Sequence, residues 1–246
     1  MTLTIKIITI LAIASIATAC SKSTDSRSSQ AGTGGSLAKF TISSGYLYTV
    51  NYSELKSYDI SNPAAPVYKH TASAPQAQTI FSYNDNLFIG ARDGIFIYDI
   101  SNPSKPTLKG QASHLRACDP VIAEGTYAYS TLQGSSTCGN VNPGLYVYDI
   151  TNIMQPVLKQ YASMPKPKGL GLAQNTLYVC GEEYGMTIFD VSNPESPKEK
   201  KVLKDDTSYQ DVIVAENALI CYVNSGLLLY DITDRENPIL LQKINQ

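Results

Sequence analysis

One short stretch recurs five times along the chain, and its spacing narrows the possible folds more than any other feature. Leu145–Asn152 reads LYVYDITN, and close copies stand at Leu55–Asn62 (LKSYDISN), Ile95–Asn102 (IFIYDISN), Thr187–Asn193 (TIFDVSN) and Leu227–Asp234 (LLLYDITD). Measured on Asp59, Asp99, Asp149, Asp190 and Asp231, the steps are 40, 50, 41 and 41 residues. Self-similarity at about 40 residues marks an array of one supersecondary unit. In a chain of 246 residues, that favours one object over several unlike domains.

Each unit holds four strands. In the second, Gln78–Tyr83 is a strand, Asn84–Asn86 turns the chain, and Leu87–Ala91 returns to Asp93-Gly94, a dipeptide that tight hairpins favour. Ile95–Tyr98 is the third strand; Pro103 and Pro106 break the chain before the fourth, Thr107–Gln111. No helical period appears. The third strands (IFIY, LYVY, LLLY) are apolar on both faces, so both faces must be covered. Radial stacking of five sheets does this and leaves only short edges. The expected fold is therefore all-β: a five-bladed β-propeller of four-stranded antiparallel blades, at about 36–76, 77–116, 117–166, 167–207 and 208–246. A β-sandwich competes, but the regular period argues against it. Because the copies run in complete order, the ring is expected to close by packing blade 5 on blade 1, without strand exchange.

The Asp-Ile/Val-Ser/Thr-Asn-Pro signature resembles that of the LVIVD-repeat proteins, a family of bacterial β-propellers. YDISNPxxP stands intact at Tyr58–Pro66 and Tyr98–Pro106, while the third unit reads Thr151-Asn-Ile-Met-Gln155 and the fifth Asp234-Arg-Glu-Asn-Pro238. The resemblance covers residues 36–246 and implies the fold; it is almost silent on activity. The motif also has a local use. Asp and Asn oxygens accept bonds from backbone N–H groups one or two residues on, and Pro fixes φ, so each strand ends in a defined turn. Five copies suit a structural device, and no metal is assigned to the ring of aspartates.

The N-terminus reads as an address. Residues 1–19 carry Lys6, an apolar run from Ile7 and small residues before Cys20. A run of about 13 residues is shorter than the roughly 20 that cross a bilayer and fits a secretory signal. Ala17-Thr18-Ala19-Cys20 resembles the lipobox of bacterial lipoproteins, with Ala17 where Leu is usual. That resemblance implies a lipid on the Cys20 sulfur, a mature chain beginning there, and the membrane as one partner. Ordinary signal cleavage with Cys20 uninvolved is the alternative. Residues 20–35 are Ser- and Gly-rich and read as a flexible tether, about 50 Å long when extended. Ser21 resembles an outer-membrane sorting signal.

Four cysteines remain. Cys118, at the start of a first strand, and Cys138, in the Thr131–Gly144 insertion of blade 3, fall at the same end of one blade and are expected to form a disulfide. Closing such a loop would stabilise by roughly 3 kcal/mol. Cys180 and Cys221 each precede their repeat Asp by ten residues. At equivalent places in stacked sheets about 10 Å apart they would be unbridged, buried thiols.

Aligning the first strands puts Lys39, Thr79, Asp119, Gly169 and Asp211 at one level, beside Ala38, Gln78, Cys118, Lys168 and Gln210. This level is expected to form a polar collar at the channel mouth, surrounded by Arg92, Asp93, His114, Arg116, Glu182, Glu183, Tyr184, Asp205, Asp206 and Tyr209. Within this set Lys39, Thr79, Asp119, Asp211, Arg92, Arg116, Glu182, Tyr184 and Tyr209 are the ligand-binding candidates. A water-filled channel with solvated charges is the plainer alternative. With 19 basic and 21 acidic side chains, no basic field exists to hold nucleic acid. Motifs for nucleotide binding, metal hydrolysis or Ser-His chemistry are missing from the sequence, so no cofactor, metal or catalytic residue is assigned. The reading favours an envelope module that binds a protein or glycan over a glycan hydrolase or lyase, or a bare spacer.

Overall fold

The computed structural model describes residues 34–113, 120–133, 142–205 and 207–245. Blade 1 comprises β1 (Phe40–Ser43), β2 (Tyr46–Val50), β3 (Glu54–Asp59) and β4 (Val67–Ser73). Blade 2 comprises β5 (Ala77–Tyr83), β6 (Asn86–Ala91), β7 (Gly94–Asp99) and β8 (Thr107–Ser113). Blade 3 follows with β9 (Val121–Glu124), β10 (Tyr127–Leu132), β11 (Gly144–Asp149) and β12 (Val157–Ser163). In blade 4 stand β13 (Pro167–Ala173), β14 (Thr176–Gly181), β15 (Gly185–Asp190) and β16 (Lys198–Leu203). Blade 5 ends the array with β17 (Tyr209–Ala215), β18 (Ala218–Val223), β19 (Gly226–Asp231) and β20 (Ile239–Asn245). Each is a four-stranded antiparallel sheet in chain order, and the five are arranged as a β-propeller. The blade 3 insertion falls between β10 and β11, in the expected connection.

The repeated motif does what its chemistry suggests. The amides of Ser61, Ser101, Thr151, Ser192 and Thr233 donate to Oδ1 of Asp59, Asp99, Asp149, Asp190 and Asp231 at 2.7–2.9 Å. A second turn follows, in which Ala64, Ser104, Met154 and Glu236 donate to the side chains of Asn62, Asn102, Asn152 and Asp234. Blades 3 and 5 keep this turn despite their altered sequence, because it needs a side-chain oxygen and not the first Pro. These bonds from the residue two places on hold Asp59, Asp149, Asp190 and Asp231 below the ordinary carboxylate range. Lys109, helped by Ser101, holds Asp99 at about 2.

The hydrophobic residue after each aspartate joins two turns. Its amide donates to a carbonyl in the turn between the first and second strands: Ile100 to Asp85, Ile150 to Thr126, Val191 to Asn175 and Ile232 to Asn217, each at 2.8 Å. Two to three residues back along the chain, pairing between third and fourth strands slips at the same place in every blade. The shift lies at Ser57/Tyr58, Ile97/Tyr98, Val147/Tyr148, Ile188/Phe189 and Leu229/Tyr230. Such a bulge bends the outer strand and increases its twist.

Each blade has a front, turned to the next blade in the chain, and a back. Four apolar clusters join front to back: blades 1 and 2 around Tyr48, Leu87 and Tyr98; 2 and 3 around Phe88, Ile97 and Tyr148; 3 and 4 around Tyr129, Leu177 and Phe189; 4 and 5 around Tyr178, Leu219 and Tyr230. Tyrosine hydroxyls lock some of these joints, Tyr48 donating to the Pro103 carbonyl at 2.9 Å and Tyr178 to that of Arg235 at 2.8 Å.

Among the described residues no apolar cluster joins blade 5 to blade 1. The expected closure by packing is therefore not what is found. Phe40 is 61% exposed where its counterpart in blade 2, Ile80, is 1%. Ile60 is half-buried, whereas Ile100 and Ile232 are sealed. Bulky side chains such as Tyr48, Tyr98 and Tyr178 are buried in the other joints, and a seam is left between blades 5 and 1.

Candidate functional site

The seam is bridged by polar bonds from the segment before β1. Ser36, 1% exposed, donates its hydroxyl to Asp211 Oδ1 at 2.9 Å and accepts from the Leu170 amide at 2.8 Å. The Leu37 amide donates to Asp211 Oδ2 at 3.0 Å, and the Val212 amide to Oδ1 at 2.9 Å. The Ala38 carbonyl accepts from Ile80 in blade 2 at 2.9 Å. Residues Gly34–Ala38 thus cross the channel from blades 1 and 2 to blades 4 and 5. Two glycines make room: a Cβ at Gly169 would stand 2.1 Å from Asp211 Oδ1, and one at Gly35 would stand 2.3 Å from Oδ2. Burial pushes the Asp211 carboxyl above its ordinary range, although Leu37, Val212 and Ser36 pull it the other way.

Thr79 and Asp211 stand at equivalent register positions of their first strands, Gly169 lies against Asp211, and the chain's own Ser36 and Leu37 bond to Asp211 there. Lys39 and Thr79 meet beside Leu37, Asn51, Tyr52 and Gln78 around a cavity of about 360 Å³. Tyr209 corrects the sequence reading. It is 0% exposed and its hydroxyl bonds Asp205 Oδ2 at 2.9 Å and the Tyr230 hydroxyl at 2.7 Å, so it belongs to the blade 4–5 joint. Glu182 faces Lys168 at 3.5 Å and Glu183 pairs with Lys166. Tyr184 beside them is 45% exposed. Asp93, next to Arg92 in the hairpin turn, accepts from Gln76 at 2.7 Å. Asp119, Arg116, His114 and Asp206 lie outside the described residues, as do Cys20, Cys118 and Cys138.

Past the clasp the channel holds a second cavity, of about 130 Å³, lined by Gly34, Phe81, Tyr83, Ile122, Leu172 and Val214. Its walls are mostly apolar, unlike the polar channel the sequence suggested.

Cys180 and Cys221 are free and buried, as expected, but they are not equivalent. Cys180 pairs Met186 across a hairpin whose turn holds Glu182, Glu183 and Tyr184. Cys221 pairs Leu228 across a turn one residue shorter. Counting back from the aspartate therefore slips by one, and one residue reverses the face of a strand. Cys180 lies on the front of blade 4 and Cys221 on the back of blade 5, in one cluster. Burial raises both thiols, Cys221 to about 12.

Sequence reasoning missed the bridging role of Gly34–Leu37: Gly34 and Gly35 read as the end of the tether, and Ser36 and Leu37 as the start of blade 1. The one available signal was Gly169, a residue without a side chain at the same level as a first-strand aspartate.

The fold is that of a five-bladed β-propeller, and the LVIVD repeat family model matches residues 34–72, 76–113 and 170–205. No curated protein sequence matches the chain. Among solved structures it is similar to the periplasmic gluconolactonase PpgL of Pseudomonas aeruginosa, with 14% identity, a TM-score of 0.64, and coverage of 81% of this chain and 67% of that one. AztD from Citrobacter koseri is similar at 14% identity and a TM-score of 0.61, covering 83% and 60%. The computationally designed Ika8 protein is similar at 12% and 0.59, covering 82% and 59%. The chain thus spans about three fifths to two thirds of the length of these propellers, and the likeness is one of fold.

Proposed function

We propose that the chain is a cell-envelope binding or assembly module, held to the membrane by a lipid on Cys20 and presenting the insertion-bearing end of its propeller to a protein or glycan partner. One observation carries this reading: the polar groups at that end are spent on the molecule itself. Asp211 holds Ser36 and Leu37, Glu182 and Glu183 each face a lysine, and Tyr209 is tied to Asp205. Such an end is a fixed surface suited to recognition, since loops on a rigid scaffold are where binding usually lives. A glycan hydrolase or lyase would need two carboxyls facing each other across a cleft, whereas Glu182 and Glu183 share one turn and are neutralised in place. The test is crosslinking on intact cells with the wild type, a chain lacking residues 134–141 of the insertion between β10 and β11, and Cys20→Ser. The deletion should abolish the crosslinked product, and Cys20→Ser should shift the chain to the soluble fraction. A crosslink unchanged by the deletion would remove the insertion as the binding element.

A further inference from the structure

Among the described residues the seam leaves two sheet faces partly uncovered, and they are complementary. At each joint inside the molecule a front meets a back built to one pattern. The back contributes Leu or Ala from its second strand (Leu87, Ala128, Leu177, Leu219) and an aromatic from its third (Tyr98, Tyr148, Phe189, Tyr230), all buried. Blade 1 offers the same back, with Leu47 and Tyr58 at those positions, but both are half-exposed, and Phe40 and Ile42 beside them are 61% and 56% exposed. Blade 5 offers the same front. Leu229 stands where Ile97, Val147 and Ile188 are fully buried, Ile220 stands where Tyr178 is fully buried, and both are half-exposed. Tyr222 and Ile244 extend that front at 48% and 47% exposure.

We infer that copies of this chain assemble head to tail, the front of blade 5 of one packing on the back of blade 1 of the next. The contact continues an interface that the molecule already makes four times, so the shape and chemistry of its occupant are known. Within one molecule the two faces are linked by the polar clasp, and no apolar cluster joins them among the described residues. Gly35 runs against the front of blade 5, where an added Cβ would touch the Ile213 side chain at 3.4 Å. The contact pairs unlike surfaces, so it propagates and either closes a ring or continues as a filament. Burying apolar faces of this kind is the main driving force of association.

Sedimentation of the full chain in density-matched detergent tests this. The wild type should shift from monomer to larger species as concentration rises. Phe40→Glu and Leu229→Glu, at uncovered positions, should each stay monomeric and keep the wild-type circular dichroism and melting curve. Mixing them should return a species of twice the monomer mass, since each retains the face the other lacks. Tyr222→Glu, further out on the same front, repeats the test if Leu229→Glu folds poorly. A wild type that is monomeric at every concentration would overturn the proposal. So would a Phe40→Glu chain that still self-associates, or a mixture that stays monomeric while the wild type assembles.

Discussion

The joint between blades 4 and 5 and the seam between blades 5 and 1 use the same kinds of strand and end in opposite states. At the joint, Tyr178, Leu219 and Cys221 are completely buried and the Tyr178 hydroxyl reaches the Arg235 carbonyl. At the seam, equivalent positions are half-exposed, and the connection is a carboxylate holding a serine and an amide. Apolar packing is non-directional and scales with buried area, so a joint tolerates small shifts. The clasp depends on one side chain and on two glycines that leave room for it. A repeated unit therefore specifies its internal joints but not the meeting of its ends.

The largest effect that could break this contrast comes from truncation on either side. Leu219→Ala should cost about 3 kcal/mol in urea unfolding, as for other fully buried leucines. Phe40→Ala in dilute monomer should stay within about 0.5 kcal/mol. Equal losses would mean the seam is packed after all. Next comes the clasp: Asp211→Ala leaves Ser36 and Leu37 without their acceptor and should cost about 1–3 kcal/mol. Hydrogen exchange at the Leu37 amide should accelerate far more than at Val179. Unchanged exchange there would show that the segment is held by something else.

Acid separates the two kinds of aspartate by sign. Asp211 is raised, so its protonated form favours the fold; that contribution is complete below the ordinary carboxylate pKa and is lost as pH rises through its raised value. The rim aspartates are lowered, so they favour the fold above the ordinary pKa and lose that contribution as pH falls, Asp99 only near about 2. The stability of wild type relative to Asp211→Asn should therefore increase on acidification, and that of wild type relative to Asp99→Asn should decrease. The same slope in both would refute the assignment. Smaller than the loss at Asp211 is that from Asp99→Ala, which removes the Ser101 and Lys109 bonds and should cost about 0.5–1.5 kcal/mol with no change in assembly.

Blades and rim turns were legible because their signals are local. Short apolar runs, Gly, Asn and Pro at fixed offsets between them, and the motif around each aspartate need only neighbouring residues. The Asx turns at Asp59 and Asp99 formed as their side chains require. What escaped the sequence depends on contacts distant along the chain. Ser36 and Asp211 are 175 residues apart, and nothing near either one signals the other. Tyr209 looked like a mouth residue because a strand end is close to solvent in sequence; its side chain instead turned into the blade 4–5 joint. Cys180 and Cys221 were placed on equivalent faces because one extra turn residue, among Glu182–Tyr184, is invisible to a count taken from the aspartate.

The bulge before each repeat aspartate bears on how such a molecule survives in company. Five outer strands present unpaired backbone to the surroundings, and β20 carries exposed Ile239, Leu240 and Leu241, the composition of a template for stray strands. A kink at the same point in every blade denies an incoming strand a straight run of partners, and lysines such as Lys69, Lys109 and Lys159 on three of these edges add charge. Protection against aggregation is thereby written into the repeat itself, and each new copy of the unit brings its own.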